Sequence, residues 1–246
     1  MKLLEIQDLT KNFGGLTAVN SLHMSIEAGQ ILGLIGPNGA GKSTVFNCVA
    51  GVYPPTSGKI AFKGKEITGQ KPWDICRKRI ARTFQLVKPF ASKTVLYNIM
   101  VGTFSQTKSS REAEERALKV LERLHLDQKK DALAGSLTIA DRKRLELGRA
   151  LATEPELLLL DEVMAGLRPT EVEEMIAIIQ GIRKSGVTIF VIEHIIRAIM
   201  ALSDWIVVIH FGEKIAEGTP AQVSQDERVI KAYLGEEYVT ARHQGH

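Results

Sequence analysis

An α/β fold with a mainly parallel sheet is the class that this sequence predicts, and three observations predict it. Short apolar runs at residues 31–35, 157–160 and 187–192 alternate with helical patterns. These runs are apolar at nearly every position, which is typical of strands buried on both faces of a parallel sheet. The stretch 85–151 is instead charged and helical in pattern. We therefore expect one α/β domain interrupted by a helical insertion.

The bulk composition indicates a globular chain that reaches a membrane, if at all, through a partner. Its 246 residues are 44% apolar and 24% charged, with a formal net charge of +4. No apolar run approaches the roughly 18 residues that cross a bilayer, and no stretch resembles a signal peptide. The two cysteines, Cys48 and Cys76, lack CxxC spacing. That pattern argues against a disulfide scaffold and favours a reducing compartment.

Residues 1 to about 35 are patterned as short strands and turns. Gly14-Gly15 and residues 27–30 mark turns before the strand at 31–35. A helix is expected to begin near Lys42, and residues 58–67 are patterned as strand, turn and strand. We expect this part to add an N-terminal antiparallel β subdomain to the parallel core.

From residue 71 to about 151 the pattern becomes helical and carries no strand signal. Ser109 and Glu112 have the spacing of a capping box. An apolar stripe at helical spacing follows and is expected to pack in the core: Ala117, Leu118, Leu121 and Leu124.

Strand and helix then alternate again, with strands at 157–160, 187–192 and 206–209 and a helix that Thr170 and Glu173 are predicted to cap. The domain organisation expected is a single domain, 1–246. Its core lobe covers about 1–84 and 152–246, and its inserted helical lobe covers about 85–151.

A glycine-rich loop between the strand at 31–35 and the next helix carries the most specific pattern in the chain. It fills every fixed position of Gly-x-x-x-x-Gly-Lys-Ser. Its backbone N–H groups and the helix N-terminus can hold phosphate oxygens, Lys42 can reach the β and γ phosphates, and Ser43 can bind Mg²⁺. The loop predicts a P-loop NTPase (RecA-like) core that binds ATP and Mg²⁺. The predicted nucleotide-binding residues here are Gly36, Pro37, Asn38, Gly39, Ala40, Gly41, Lys42, Ser43 and Thr44.

Polar residues at the ends of other strands complete a candidate hydrolytic site. Asp161 ends an apolar strand, where ligands bind in parallel sheets, and is expected to hold Mg²⁺; Glu162 is the candidate that polarises the attacking water. His194 follows a third strand and could touch the γ phosphate. Gln85, at the entrance to the helical stretch, could contact Mg²⁺ or the attacking water. The residues alone also allow ordinary solvated roles for His194 and Gln85.

These motifs together resemble the ABC (ATP-binding cassette) ATPases over nearly the whole chain. The Walker A loop at 36–44, the glutamine loop at Gln85, Walker B with Asp161 and Glu162, and the switch histidine His194 stand in the order of that family. Within that family, the chain resembles the subgroup of LivG-type ATP-binding subunits of branched-chain amino acid transporters. Further support comes from residues 11–19, 81–85, 191–194, 218–220 and 228–237.

The resemblance implies roles and partners beyond those motifs. Phe13 matches the position whose ring stacks on adenine. The catalytic set is Glu162, His194, Gln85 and Lys42. Two cassettes are expected to dimerise head to tail with ATP between them, on the cytoplasmic face of the plasma membrane. There the pair would drive transmembrane permease subunits and, indirectly, a solute-binding protein. The solute could be a branched-chain amino acid, another amino acid, an amide or urea.

The signature loop, which contacts the nucleotide of the opposite subunit, departs from the family's Leu-Ser-Gly-Gly-Gln. Here residues 137–141 read Leu-Thr-Ile-Ala-Asp. Thr138 keeps a hydroxyl for the partner's ATP, but Ile139 and Ala140 add bulk where glycine permits close approach. Asp141 would bring negative charge near phosphate, or cap the following helix. Because the chain's own P-loop, Glu162 and His194 are intact, we hypothesise a pair with a different cassette and two unequal sites.

Two other features permit two interpretations each. Arg168 could pair with a carboxylate of the partner or simply be solvated, and it lies near Val163-Met164, where the family usually has proline. Residues 71–93 hold seven basic residues against one acid. They form either a solvated face or a surface near the membrane and its transporter. Nucleic acid is disfavoured as a partner because few aromatics are interleaved.

Two further function classes are weighed against the transport ATPase. A soluble cassette protein of DNA repair or translation would usually join two cassettes or carry a long coiled-coil insert, and this chain has neither. A P-loop phosphotransferase is disfavoured by the combination of Gln85, Glu162 and His194.

Overall fold

The computed structural model describes residues 1–83 and 88–234. In chain order the elements are β1 (Lys2–Phe13), β2 (Leu16–Glu27), β3 (Ile31–Ile35), α1 (Lys42–Val49), β4 (Ser57–Phe62), β5 (Lys65–Glu66), α2 (Pro72–Arg77), β6 (Ile80–Arg82), α3 (Val95–Thr103), α4 (Ser110–Arg123), α5 (Ile139–Leu151), β7 (Leu157–Asp161), α6 (Pro169–Lys184), β8 (Thr188–Ile192), α7 (Ile196–Leu202), β9 (Trp205–His210), β10 (Glu213–Gly218), α8 (Pro220–Gln225) and α9 (Glu227–Leu234). In these two ranges, no helix combines the length and hydrophobicity of a membrane span.

The strands form two sheets. One is antiparallel, in the order β2-β1-β4-β5. The other has the order β10-β9-β3-β8-β7-β6, and its strands are parallel except for β10, which pairs antiparallel with β9. The predicted α/β class with an antiparallel β subdomain is therefore confirmed.

The larger sheet is buried on both faces, which explains its uniformly apolar strands. On β3, Ile31 and Ile35 face the core shared with the helices α3–α7, whereas Leu32 and Leu34 face the core shared with α1 and the antiparallel sheet. Successive side chains of a strand point to opposite faces, so a continuous apolar run supplies two cores. The strand order places the carboxyl ends of β3, β8 and β7 side by side at one edge of the sheet.

The helices α3, α4 and α5 pack against one another and on the sheet. Ile99, Leu121 and Leu124 are fully buried in this core. Gly148 of α5 allows the close packing, since a Cβ there would lie 2.5 Å from Leu124 Cδ1 and 2.6 Å from Ile99 Cδ1. The stripe predicted at helical spacing therefore does pack in the core.

Three local predictions need correction. Residues 71–151 are not without strands, because β6 pairs in parallel with β7; three residues are too short for a periodic signal. The N-terminal strands are long rather than short, since β1 and β2 each have 12 residues. The helix α6 is not capped by Thr170 and Glu173: Pro169 is its first residue, and Glu171 Oε2 accepts from Arg168 N–H at 2.8 Å.

Candidate functional site

A cleft of about 450 Å³ opens at the edge where β3, β7 and β8 end. The glycine-rich loop follows β3, Asp161 ends β7, and His194 follows β8. The cleft is lined by Phe13, Leu16, Thr17, Ala18, Asn38, Gly39, Ala40, Gly41, Lys42, Ser43, Thr44, Glu162, His194 and Phe211. The fold thus brings most of the residues predicted from three separate segments to one place.

The path of the glycine-rich loop requires glycine at two positions. A Cβ on Gly36 would lie 2.1 Å from the carbonyl oxygen of Ile209, and a Cβ on Gly41 would lie 2.3 Å from that of Ala18. Gly41 also has φ 102° at the start of α1, a conformation that side chains disfavour. The loop is therefore held tightly between β2 and β9, with the α1 N-terminus directed at the cleft.

Lys42 lies along the loop with its side chain nearly enclosed. Its Nζ donates to the carbonyl oxygens of Gly36 at 2.7 Å and Pro37 at 2.9 Å. Burial lowers the pKa of Lys42, and the carboxylates of Glu162 and Asp161 partly offset that effect. The next residue, Ser43, is exposed to the cleft. An ammonium and a hydroxyl thus stand at the base of α1, where a phosphate chain with its cation would bind.

Glu162 and His194 form a pair across the cleft. Glu162 Oε1 lies 2.6 Å from His194 Nε2. The backbone of Glu162 is left-handed, with φ 52°, and its N–H donates to the carbonyl of Ile192 at 3.0 Å. Such a conformation in a non-glycine residue costs of order 1–3 kcal/mol and needs support from its surroundings. Here β8 supplies that support directly.

Two buried ionisable side chains bind the main chain of residues 162–164, next to this pair. Glu193, 2% exposed, accepts a hydrogen bond from Met164 N–H through Oε1 at 2.8 Å. Burial raises the pKa of Glu193 to about 7. Lys143 of α5 donates to the main-chain carbonyl of Glu162 at 3.0 Å. The sequence prediction missed Glu193 and Lys143. In the sequence, each is distinguished only as a charged residue next to a motif.

Asp161 is 3% exposed and forms an ion pair with Arg82 at the end of β6. Arg82 Nη2 lies 2.8 Å from Asp161 Oδ2, and Nη1 donates to Asn47 Oδ1 on α1. The other oxygen, Asp161 Oδ1, is buried with no hydrogen-bond partner among the described residues. Sequence reasoning had marked Arg82 only as part of a motif and of the basic run.

An aromatic cluster closes the far end of the cleft. The Phe13 and Tyr53 rings meet edge to face with centroids 5.3 Å apart, and Lys11 Nζ lies 5.0 Å from the Phe13 centroid. Phe13 is 42% exposed, which leaves ring area for a ligand. Phe211, in the turn between β9 and β10, also lines the cleft, and no sequence pattern had pointed to it.

The altered signature loop lies outside this cleft, at the start of α5. Asp141 is 5% exposed. Its Oδ2 accepts from Thr138 Oγ1 at 2.8 Å and pairs with Lys129 Nζ at 2.5 Å. Thr138 is the N-cap of α5. Asp141 is therefore not itself the cap: it lies in the first turn of α5, its carboxylate binds the hydroxyl of the Thr138 cap, and Lys129 compensates its charge. Ile139 is 63% exposed.

The remaining predicted residues are placed as follows. Gln85 lies outside the described residues. Arg168 is bound within its own chain, because Nη2 lies 2.7 Å from Glu171 Oε1. The structure brings together the P-loop, Asp161, Glu162 and His194, while Thr138 lies apart in the helical part of the chain.

A second concavity, of about 250 Å³, lies between β6, α2 and α5. We call it the α2–α5 groove. Its walls are mainly apolar, with Arg82, Glu146 and Arg149 as its charged members. Nearby, the Arg149 guanidinium lies 5.5 Å from the centroid of Phe90, which is 46% exposed.

Comparisons with known proteins agree with this geometry. The family model described as ABC transporter matches residues 19–165, and the model described as branched-chain amino acid ATP-binding cassette transporter matches residues 213–239. The chain is 42% identical to the high-affinity branched-chain amino acid transport ATP-binding protein BraF of Pseudomonas aeruginosa. It is 40% identical to LivG of Escherichia coli K12, of the same description. Each match covers 95% of this chain and 98% of the relative.

Among solved structures, the chain resembles a nucleotide-free ATP-binding cassette from an ABC transporter. The TM-score is 0.88 at 31% sequence identity, over 96% of this chain and 100% of the other. The similarity therefore extends over both sheets and the helices between them.

Proposed function

The chain belongs to the ABC transporter family of ATP-binding proteins, and on that premise we propose that it powers an importer of branched-chain amino acids or related small polar solutes. Its reaction is ATP hydrolysis to ADP and phosphate, coupled to transport. A soluble cassette protein of DNA repair or translation is not favoured, since BraF and LivG are both described as transport proteins.

The observation that carries the proposal is the convergence of Lys42, Glu162 and His194 on one cleft. Loop N–H groups from residues 36–44 and the Lys42 ammonium would bind the phosphates of ATP. Glu162 would polarise the attacking water, because its carboxylate faces the cleft on a left-handed backbone. His194 would orient that carboxylate and approach the γ phosphate, given the 2.6 Å contact between them.

Magnesium fits the same cleft. Ser43 presents a hydroxyl, and Asp161 presents a buried oxygen, Oδ1, with no hydrogen-bond partner among the described residues. Hydroxyl and carboxylate oxygens are ligands that Mg²⁺ prefers, directly or through water. When bound, the ion would neutralise charge on the phosphate oxygens. Gln85 is proposed as a further ligand or water contact.

Adenine would stack on Phe13. The edge-to-face contact with Tyr53 fixes the ring while leaving one side accessible. Lys11 lies beside both aromatic rings and would stabilise a π-stacked base through its charge.

A second cassette completes the site, and we propose that it is a different protein. Thr138 would contact the partner's ATP, but Ile139 stands exposed where close approach to phosphate favours glycine. The site that uses this signature loop would therefore be the weaker of two. The site built on this chain's own P-loop retains every catalytic group and would be the stronger.

The permease is proposed to dock in the α2–α5 groove through one of its cytoplasmic segments. The groove has an apolar floor from Ile75, Ile80 and Leu159, and Arg149 at its rim. Three exposed aromatic residues lie nearby in the fold: Trp73 on α2, Phe90 in the segment before α3, and Tyr97 on α3. A segment with apolar side chains and an acidic group would suit this surface. The chain would then lie peripherally on the cytoplasmic face of the plasma membrane.

Purification of the native complex tests the proposal directly. We expect two permease subunits, a second cassette and, upon addition of substrate, a solute-binding protein, with ATPase activity that rises when the complex is whole. Co-purification with ribosomes or nucleic acid would instead support the soluble class. A phosphorylated acceptor product would support a phosphotransferase.

A further inference from the structure

Arg82 connects three parts of the nucleotide site. It ends β6, three residues before Gln85, and its side chain is 13% exposed. One guanidinium nitrogen binds Asp161 at the end of β7, and another binds Asn47 on the helix that follows the P-loop. These contacts join segments 35 and 79 residues apart in sequence.

The pairing leaves the two oxygens of Asp161 unequal. Oδ2 is bound by Arg82, whereas Oδ1 is buried with no hydrogen-bond partner in the described part of the chain. The main-chain N–H of Asp161 donates to Thr83 Oγ1 at 3.1 Å, so the residue that follows β6 also holds the backbone. Rotation of the carboxylate would break a buried ion pair, which is strongly unfavourable.

We propose that Arg82 is a positioning residue that fixes Asp161 in one rotamer and so keeps Oδ1 available to the Mg²⁺ shell of bound ATP. The inference rests on the proposed nucleotide site. Groups that orient a metal ligand typically change metal affinity by about 10–100-fold when removed. Arginine suits the role because its planar fork reaches two acceptors in fixed directions, whereas lysine offers a single charged nitrogen.

The test measures equilibrium binding of a non-hydrolysable ATP analogue to the purified chain, with Mg²⁺ and with chelator. The readout is the dissociation constant with chelator divided by the dissociation constant with Mg²⁺. This ratio reports the contribution of Mg²⁺ separately from phosphate and base binding. We expect Arg82→Gln to reduce this ratio about tenfold or more while changing the Mg²⁺-free constant less than about twofold. Arg82→Lys should restore part of the ratio, because it keeps the charge beside Asp161.

Arg79→Gln is the matched control. It removes a positive charge close by, but its ion pairs are with Glu154 and Glu156 on the surface, so the ratio should stay unchanged. If Arg82→Gln does not fold, Asn47→Ala frees one end of the guanidinium, and it should lower the ratio by a smaller factor. Equal losses with and without Mg²⁺, or an unchanged ratio in the folded Arg82 variants, would overturn the proposal. Failure of the unsubstituted chain to bind the analogue would count against the proposed function itself.

Discussion

His194 Nε2 lies 2.6 Å from Glu162 Oε1, between residues that follow adjacent parallel strands. Glu162 reaches this position on a left-handed backbone that is tied by its N–H to the carbonyl of Ile192. The pair is therefore positioned by the sheet itself.

Substitution of Glu162 by Gln should abolish turnover without abolishing binding. The amide keeps the size of the side chain but cannot accept a proton from water, and loss of such a group costs about 10²–10⁴-fold in rate. We expect ATP affinity within a few fold of the unsubstituted chain, measured by titration calorimetry, and ATPase activity of the complex with permease and partner cassette near background. Glu122→Gln, an exposed change on α4, is the control. Near-normal ATPase activity in Glu162→Gln would remove Glu162 from its role.

The Glu162–His194 contact predicts that the two residues do not act independently. His194→Ala alone should lower ATPase activity by about 10²-fold, because Glu162 then loses the group that orients it. In a chain that already carries Glu162→Gln, the same change should have little further effect, since effects of residues that act as a unit are not additive. Rate assays on the complex assembled with each single variant and with the double variant give the coupling. Multiplicative losses would show that the contact has no catalytic part.

The sequence predicted the P-loop, Asp161, Glu162 and His194 because each follows an apolar strand whose pattern is unambiguous. It did not reveal Arg82 as a partner of Asp161, since the pair is set by the neighbouring positions of β6 and β7 in the sheet. Phe211 had no signal either, because one aromatic residue in a turn has no periodicity. The sequence shows Asp141 as part of the altered signature loop, but only the structure shows its ion pair with Lys129.

Glu193 predicts that stability falls as the pH rises towards neutrality. Burial raises the pKa of its carboxyl from 4.5 to about 7, so the folded chain binds a proton that the unfolded chain releases between these values. The folded state therefore loses stability between about pH 4.5 and 7, by roughly 3 kcal/mol from this group. Glu162 nearby raises this pKa further, and Lys143 and the N–H groups of Met164 and His194 oppose the rise.

The measurement for Glu193 is thermal unfolding as a function of pH. Glu193→Gln keeps an oxygen for the Met164 N–H and removes the ionisation. We expect the melting temperature of this variant to lack the decline with rising pH that is attributed to Glu193. At pH 8 the variant should melt several degrees above the unsubstituted chain. Glu122→Gln again serves as the control and should leave the profile unchanged. A Glu193→Gln variant that melts lower at pH 8 would contradict a raised pKa.

The two cysteines allow a direct test of the permease docking surface. Cys76 lines the α2–α5 groove and is partly exposed, whereas Cys48 is buried, and burial raises the pKa of its thiol to about 11. A maleimide should therefore label Cys76 alone in the isolated chain, because the thiolate is the reactive form. In the assembled complex we expect labelling to slow at least tenfold, as followed by mass spectrometry. Equal labelling in both states would place the permease elsewhere, and Cys76→Ser gives the background.

The exposed Ile139 predicts that this chain pairs poorly with itself. Two copies with ATP between them would each bring the main chain of Ile139 and Ala140 towards phosphate, where the exposed side chain of Ile139 prevents the approach that glycine permits. The test uses a chain that carries Glu162→Gln to prevent hydrolysis. We expect light scattering to show that this chain remains monomeric when ATP is added. Ile139→Gly combined with Ala140→Gly should then give dimers at the same protein concentration, despite a cost of about 1 kcal/mol per glycine in α5. Val101→Ala, on the exposed face of α3, should have no such effect. If the chain with its own signature loop dimerised as readily as the glycine variant, Ile139 and Ala140 would be no obstacle, and the argument for an unlike partner would fail.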